Sequence, residues 1–112
     1  MKILITGCCG FIGTNLTIYL LKNTNNKIIG IDNFLDNYNL QYKEENLKEL
    51  LEFDNFTFHK ISILDFDIPK VDKIIHLASI PGVRKSLKEP VFYLKNNVES
   101  FIYLLEQCKE KG

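Results

Sequence analysis

Three glycines spaced three apart, Gly7, Gly10 and Gly13, close the run Lys2–Gly13, K-I-L-I-T-G-C-C-G-F-I-G. Residues of this type at this spacing place a phosphate-sized anion against backbone N–H groups. Gly7 permits a tight exit turn, Gly10 lets the backbone approach a ligand closely, and Gly13 removes a side chain where a helix must sit tight on a strand. A second candidate is Asp32, about 20 residues beyond the glycines, at the end of Lys27-Ile28-Ile29-Gly30-Ile31. A carboxylate there can meet the hydroxyls of an adenosine ribose, which favours NAD over NADP because a 2′-phosphate would be repelled. The competing reading makes Asp32 the cap of a surface turn with Asn33.

These groups need elements to carry them. Lys2–Thr6 is apolar and rich in β-branched residues, which predicts a strand covered on both faces. From Phe11 to about Lys22, Leu16, Tyr19, Leu20 and Leu21 fall at helical spacing, so the positive end of a helix faces the glycine loop. Asn23–Asn26 are turn formers before the second strand, and Asn33–Asn39 is a polar loop dotted with aromatics. Tyr42 to about Phe53 reads as a helix with Leu47, Leu50 and Leu51 on one face; Lys43, Glu44, Glu45, Lys48 and Glu49 read as its solvated face. Asn55–Lys60 and Lys73–Leu77 are the third and fourth strands, and Pro90–Lys109 is the longest helix. Val91, Leu94, Val98, Phe101, Ile102 and Leu105 give that helix a broad apolar face. The alternation predicts an α/β fold, a doubly wound parallel sheet. The segment Ile61–Asp72 contains Pro69 and little helical periodicity. Its residues reach roughly 40 Å when extended, enough to cross the sheet as a loop and leave one face thinly covered.

With 112 residues the chain makes one small domain. Its 14 basic and 14 acidic residues cancel, and the absence of a basic stripe argues against nucleic acid or an anionic membrane as main partner. The amino-terminal apolar run is too short for a signal peptide, and no segment is long enough to cross a bilayer. Three cysteines, two of them adjacent at Cys8 and Cys9, match no zinc spacing and read as reduced thiols of a cytoplasmic protein. Cys8 and Cys9 are read as small packing residues rather than reactive ones.

Four stretches occur in the order found in the extended short-chain dehydrogenase/reductases: Thr6–Leu16, Gly30–Phe34, Ile74–Leu87 and Asn97–Cys108. Over nearly its whole length the chain resembles the NAD-dependent epimerase/dehydratase group of that family. P-G-V-R-x-S and D-N-F-L-D-N-Y look most like UDP-glucuronate 4-epimerases. The resemblance implies a Rossmann-like sheet of about four strands in the order 3-2-1-4, with NAD as cofactor and a UDP-sugar as substrate of the complete enzyme. It implies that Gly7, Gly10, Phe11, Ile12 and Gly13 hold the pyrophosphate, and that Asp32 and Asn33 meet the ribose. Leu77, Ala78 and Ser79 would line the cofactor, and Asn97 matches an asparagine beside it. Gly82, Val83 and Arg84 are candidates for the sugar nucleotide, Arg84 by charge, although a solvent-exposed arginine is an equal alternative. His76 is read as a packed strand histidine, not an acid–base group.

Two departures qualify the resemblance. Where the family commonly has an Asp-Ile pair touching the adenine, this chain has Ser62 and Ile63, which keeps a hydrogen-bonding group without its charge. The family's catalytic tyrosine has a lysine four residues on, yet the residues four beyond the five tyrosines here are Asn23, Tyr42, Asn46, Asn97 and Gln107. The expectation is therefore an NAD-binding amino-terminal piece, residues 1–112, without catalytic residues of its own and inactive unless another chain supplies them. The alternatives are a stand-alone, non-catalytic NAD-binding module and an inactive remnant. In the order 3-2-1-4 the fourth strand has an open edge, a possible surface for association.

Overall fold

The computed structural model describes residues 1–34, 40–78 and 87–111. Strands β1 (Lys2–Thr6), β2 (Lys27–Asp32), β3 (Phe56–Lys60) and β4 (Lys73–His76) form one sheet in the order β3-β2-β1-β4. All three pairings are parallel, with Leu4 opposite Ile29 on one side and Ile74 on the other. Helices α1 (Phe11–Asn23) and α2 (Leu40–Leu50) follow the first two strands. This is the Rossmann-like α/β arrangement expected from the alternation of strands and helices.

Because successive side chains on a strand point to opposite faces, β1 feeds two cores. Ile3 and Ile5 join Cys8, Cys9, Leu21, Ile28, Leu50 and Phe56 on one side. Leu4 joins Ile31, Ile63, Phe66, Ile68 and Leu104 on the other. Leu4 and Ile5 are both fully buried, as a central parallel strand requires. Helix α2 starts and stops earlier than the leucine pattern alone suggests, because Leu51–Phe53 close its end as a turn.

The second face differs from expectation in two ways. The β3–β4 connection does cross without a long helix, having only a 3₁₀ turn at Ile63–Asp65. It does not leave the sheet thinly covered, since Ile63, Phe66 and Ile68 are buried against it. The long carboxy-terminal helix consists of α3 (Pro90–Tyr93), a π-helical stretch (Leu94–Glu99) and α4 (Ser100–Lys111). The apolar residues Val91, Leu94, Val98, Phe101, Ile102 and Leu105 are exposed; α4 instead buries Ser100, Leu104 and Gln107.

Gln107 explains why a polar face turns inward. Its Nε2 donates to the Phe66 carbonyl at 2.9 Å, and its Oε1 accepts from the Ile68 amide at 3.0 Å. Tyr103 Oη donates to the same Phe66 carbonyl at 3.2 Å. An irregular buried segment has backbone groups with no ladder to join, and unpaired groups are costly. The amide of Gln107 supplies both a donor and an acceptor where a regular helix would have satisfied its own. Replacing Gln107 by Leu should lower the unfolding free energy by about 1–3 kcal/mol, as the Ile68 amide and the Phe66 carbonyl each lose a hydrogen bond while Tyr103 keeps its bond to Phe66. Urea denaturation measures this, and an unchanged midpoint would contradict the assignment.

Candidate functional site

The strand order brings the carboxyl ends of all four strands to one edge, where ligands of open α/β sheets bind. The loop leaving β1 is shaped by two close approaches. Gly7 has φ +71°, and a Cβ there would lie 2.8 Å from the Ala78 amide nitrogen. A Cβ on Gly13 would lie 2.1 Å from the Gly7 carbonyl oxygen, so only glycine lets α1 begin so near the strand end. Gly10 differs, since among the described residues its Cβ would meet only the Gly7 oxygen, at an ordinary 3.5 Å. Gly10 is also the N-cap of α1, with no side-chain cap and no acidic residue in the first turn. The first-turn N–H groups therefore lack intrahelical acceptors at the positive end of the helix dipole. Phe11 and Ile12 flank them, 71% and 67% exposed. An anion from outside the chain fits this cradle.

Asp32 closes the cradle from β2. Its carboxylate is buried and makes three hydrogen bonds among the described residues: Oδ2 accepts from the Cys9 amide at 3.1 Å, and Oδ1 accepts from the Phe34 amide at 2.8 Å and from Lys43 Nζ at 3.2 Å. The turn-capping role exists, but inside the protein rather than at a surface. A carboxylate has about four acceptor directions, so capacity for a further donor remains. Phe34 adopts φ +56°, unusual for a bulky residue, and packs its ring on Phe58 with Lys60 Nζ 5.1 Å above it.

Glu44, Glu45, Lys48 and Glu49 form the solvated charge face expected of α2, and Lys43 is the exception. It is buried and ion-paired to Asp32, because a carboxylate withdrawn from water requires a counter-charge. One turn on, Asn46 Nδ2 donates to the Cys9 carbonyl at 3.0 Å. The Cys9 peptide unit is thus held by Asp32 at its N–H and by Asn46 at its C=O. Neither α2 residue has a sequence signature for this; their separation of three, which places both on one helix face, is the only available signal.

The remaining candidates are distributed around the same edge. Leu77 and Ala78 leave β4 half-buried, their amides bonded to Thr6 Oγ1 at 3.0 and 3.1 Å. Ser62 caps the 3₁₀ turn by accepting from the Leu64 amide, and Ile63 is buried behind it. Asn33 is half-buried next to Asp32, while Asn97 lies half-buried in the π-helical stretch. Ser79, Gly82, Val83 and Arg84 lie outside the described residues. Cys8 and Cys9 are fully buried, with Sγ atoms 3.8 Å apart, and the mutual hydrogen bond together with burial pushes the Cys8 thiol far above its ordinary value. They pack rather than react. Gly30 makes room for them, because a Cβ there would sit 2.6 Å from Cys8 Sγ.

The sequence profile of the GDP-mannose 4,6-dehydratase family matches residues 4–112. Among curated relatives, an uncharacterized UDP-glucose epimerase of Bacillus subtilis is 44% identical, over 98% of this chain and 36% of its own length. A UDP-glucuronate 4-epimerase of Thermodesulfobacterium geofontis is 37% identical, over 97% of this chain and 36% of its own. The UDP-glucuronic acid 4-epimerase of Bacillus cereus, solved in complex with UDP-glucuronic acid and NAD, superposes with a TM-score of 0.91 at 39% identity. That alignment covers 97% of this chain and 36% of the Bacillus cereus chain. The chain spans about a third of the length of these relatives.

The Asp32–Lys43 pair has a direct test. Lys43→Met should destabilise the fold by about 3 kcal/mol, because it leaves a buried carboxylate without its counter-charge. Adding Asp32→Asn should recover part of that loss in a double-mutant cycle followed by chemical denaturation. Additive losses would show that the two side chains do not interact.

Proposed function

Because the chain belongs to the GDP-mannose 4,6-dehydratase family, we propose that it binds NAD as the amino-terminal, cofactor-holding part of a nucleotide-sugar epimerase or dehydratase. The observation that carries this reading is the cradle around Gly10, uncapped, with no acidic residue in the first turn of α1 and open to close approach. The superposition on an enzyme crystallised with NAD and UDP-glucuronic acid supports it.

In this reading residues 1–112 are an NAD-binding Rossmann domain. The amides at Gly10, Phe11, Ile12 and Gly13 receive the pyrophosphate, and Gly7 sets the turn that aims them. Asp32 accepts from the adenosine ribose with Asn33 beside it, while Ser62 and Ile63 border the adenine. Leu77, Ala78, Ser79 and Asn97 line the rest of the cofactor. NAD, when bound, supplies a reversible hydride acceptor. The chain's own residues bind and orient it; with no tyrosine followed four residues later by lysine among the 112, they do not supply the family's base. Gly82, Val83 and Arg84 would meet a UDP-sugar, the guanidinium suiting its anionic groups.

Two surfaces favour a part of a larger enzyme over a stand-alone module. β4 lies at the edge of the sheet, a ready site for strand pairing. The exposed Val91, Leu94, Val98, Phe101, Ile102 and Leu105 form an apolar face suited to further packing. No helix among the described residues is long and apolar enough to cross a membrane, and all three cysteines are free. Both facts support a cytoplasmic location.

Calorimetric titration with NAD tests the proposal. Binding is expected for the unaltered chain, and Gly10→Val should weaken it at least about tenfold, or 1.4 kcal/mol, while the unfolding transition stays cooperative. Asp32→Ala should remove the preference for NAD over NADP. No binding at millimolar NAD, or unchanged affinity in Gly10→Val, would refute the reading.

A further inference from the structure

Thr6 is the last residue of β1, fully buried immediately before the glycine loop, and its hydroxyl is surrounded by three partners. The Leu77 and Ala78 amides donate to Oγ1 at 3.0 and 3.1 Å, and His76 Nδ1 lies 2.7 Å away. A hydroxyl has one proton and two lone pairs. The two amides use the lone pairs, so the proton is left for Nδ1. Nδ1 must then carry a lone pair, and a neutral imidazole with Nδ1 free holds its proton on Nε2. Phe101 stacks on the His76 ring, centroids 5.5 Å apart at 17°, and fixes its plane.

We propose that Thr6 and His76 form a positioning dyad, in which neutral, Nε2-protonated His76 orients the Thr6 hydroxyl and thereby fixes the Leu77–Ala78 backbone beside the glycine loop. Its consequence for NAD rests on the function proposed above. The Ala78 amide nitrogen is the atom that a Cβ on Gly7 would strike at 2.8 Å, so this backbone is packed directly against the loop exit. Protonating Nδ1 turns it from acceptor to donor, and the hydroxyl can accept from it only by releasing an amide. Leu77 N–H also reaches the Thr6 carbonyl at 3.1 Å and keeps that acceptor, so its bond to Oγ1 is released first and the grip of Thr6 on the β4 exit falls to the Ala78 bond alone.

Among the described residues two elements pack on His76: β1 presents Thr6, and α4 presents Phe101. Neither group titrates, and burial alone lowers His76 from its ordinary 6.5. The unfolded chain therefore binds the proton more readily than the folded one. The stability contributed by neutral His76 is complete above pH 6.5 and is lost as the pH falls through the lowered folded value.

Long-range nitrogen–proton NMR correlation of the imidazole reads the tautomer directly. The Nε2–H form is expected in the unaltered chain and in Thr6→Ser, and a mixture of tautomers in Thr6→Val. An Nδ1–H form, or a mixture in the unaltered chain, would overturn the dyad. NAD affinity should be level above pH 6.5 and fall, by up to about tenfold in all and then to a plateau, as the pH drops below the folded His76 value. His76→Asn offers a non-titrating acceptor near the Nδ1 position and should flatten that profile. Equal acid sensitivity in His76→Asn and the unaltered chain would overturn the dyad. Failure to bind NAD at neutral pH would refute the proposed function instead, and the tautomer would still decide the dyad.

Discussion

Everything at the ligand edge depends on how closely α1 begins to the end of β1. With a Cβ on Gly13 only 2.1 Å from the Gly7 oxygen, any other residue would push the helix away from the strand. That contact aims the uncapped first turn of α1 at the edge where the strands end. Gly7, at positive φ, turns the chain sharply enough for the contact to form and leaves room for the β4 exit at Ala78. Gly10, between them, would bring a Cβ no closer than ordinary contact with the Gly7 oxygen, where the others would clash. Two glycines build the cradle, and the third leaves it accessible.

Bringing backbone amides to a point has an electrostatic complement inside the protein. Asp32 is buried beneath the loop and accepts from Cys9, Phe34 and Lys43 together. The carboxylate cannot be withdrawn from water without donors and a counter-charge, so the loop is tied to β2 and to α2 by one group. Asn46 completes the hold on the Cys9 peptide. On the opposite face Gln107 plays a comparable role for the irregular β3–β4 connection, satisfying backbone groups that no regular element reaches. Both cases are buried polar groups whose partners come from elements distant in sequence.

This distinction decides what could be read before the fold was known. The strands, their parallel alternation with helices and the first two helices follow from apolar runs and glycine positions, because those are local patterns with a fixed period, while the strand order came from the family resemblance. Asp32 was legible as well, from its place at the end of the second strand. Lys43 was not, since a lysine among glutamates on an amphipathic helix has the same pattern whether its ammonium reaches solvent or a buried carboxylate. The face of the last helix was misread for a related reason. It carries apolar residues on more than one side, and the polar Gln107 is drawn inward by carbonyl and amide groups that periodicity does not register.

The sequence by itself determined the kind of site: a strand, a glycine loop and a helix for an anion, then an acid one strand later, with the catalytic tyrosine–lysine spacing absent. These are properties of residue type and spacing along the chain. The tertiary structure decided which polar groups hold the site in shape, namely Lys43 and Asn46 from α2 and His76 from β4. Their partners lie 11, 37 and 70 residues away along the chain. A hydrogen bond is set by distance and direction in space, and only folding brings such groups together.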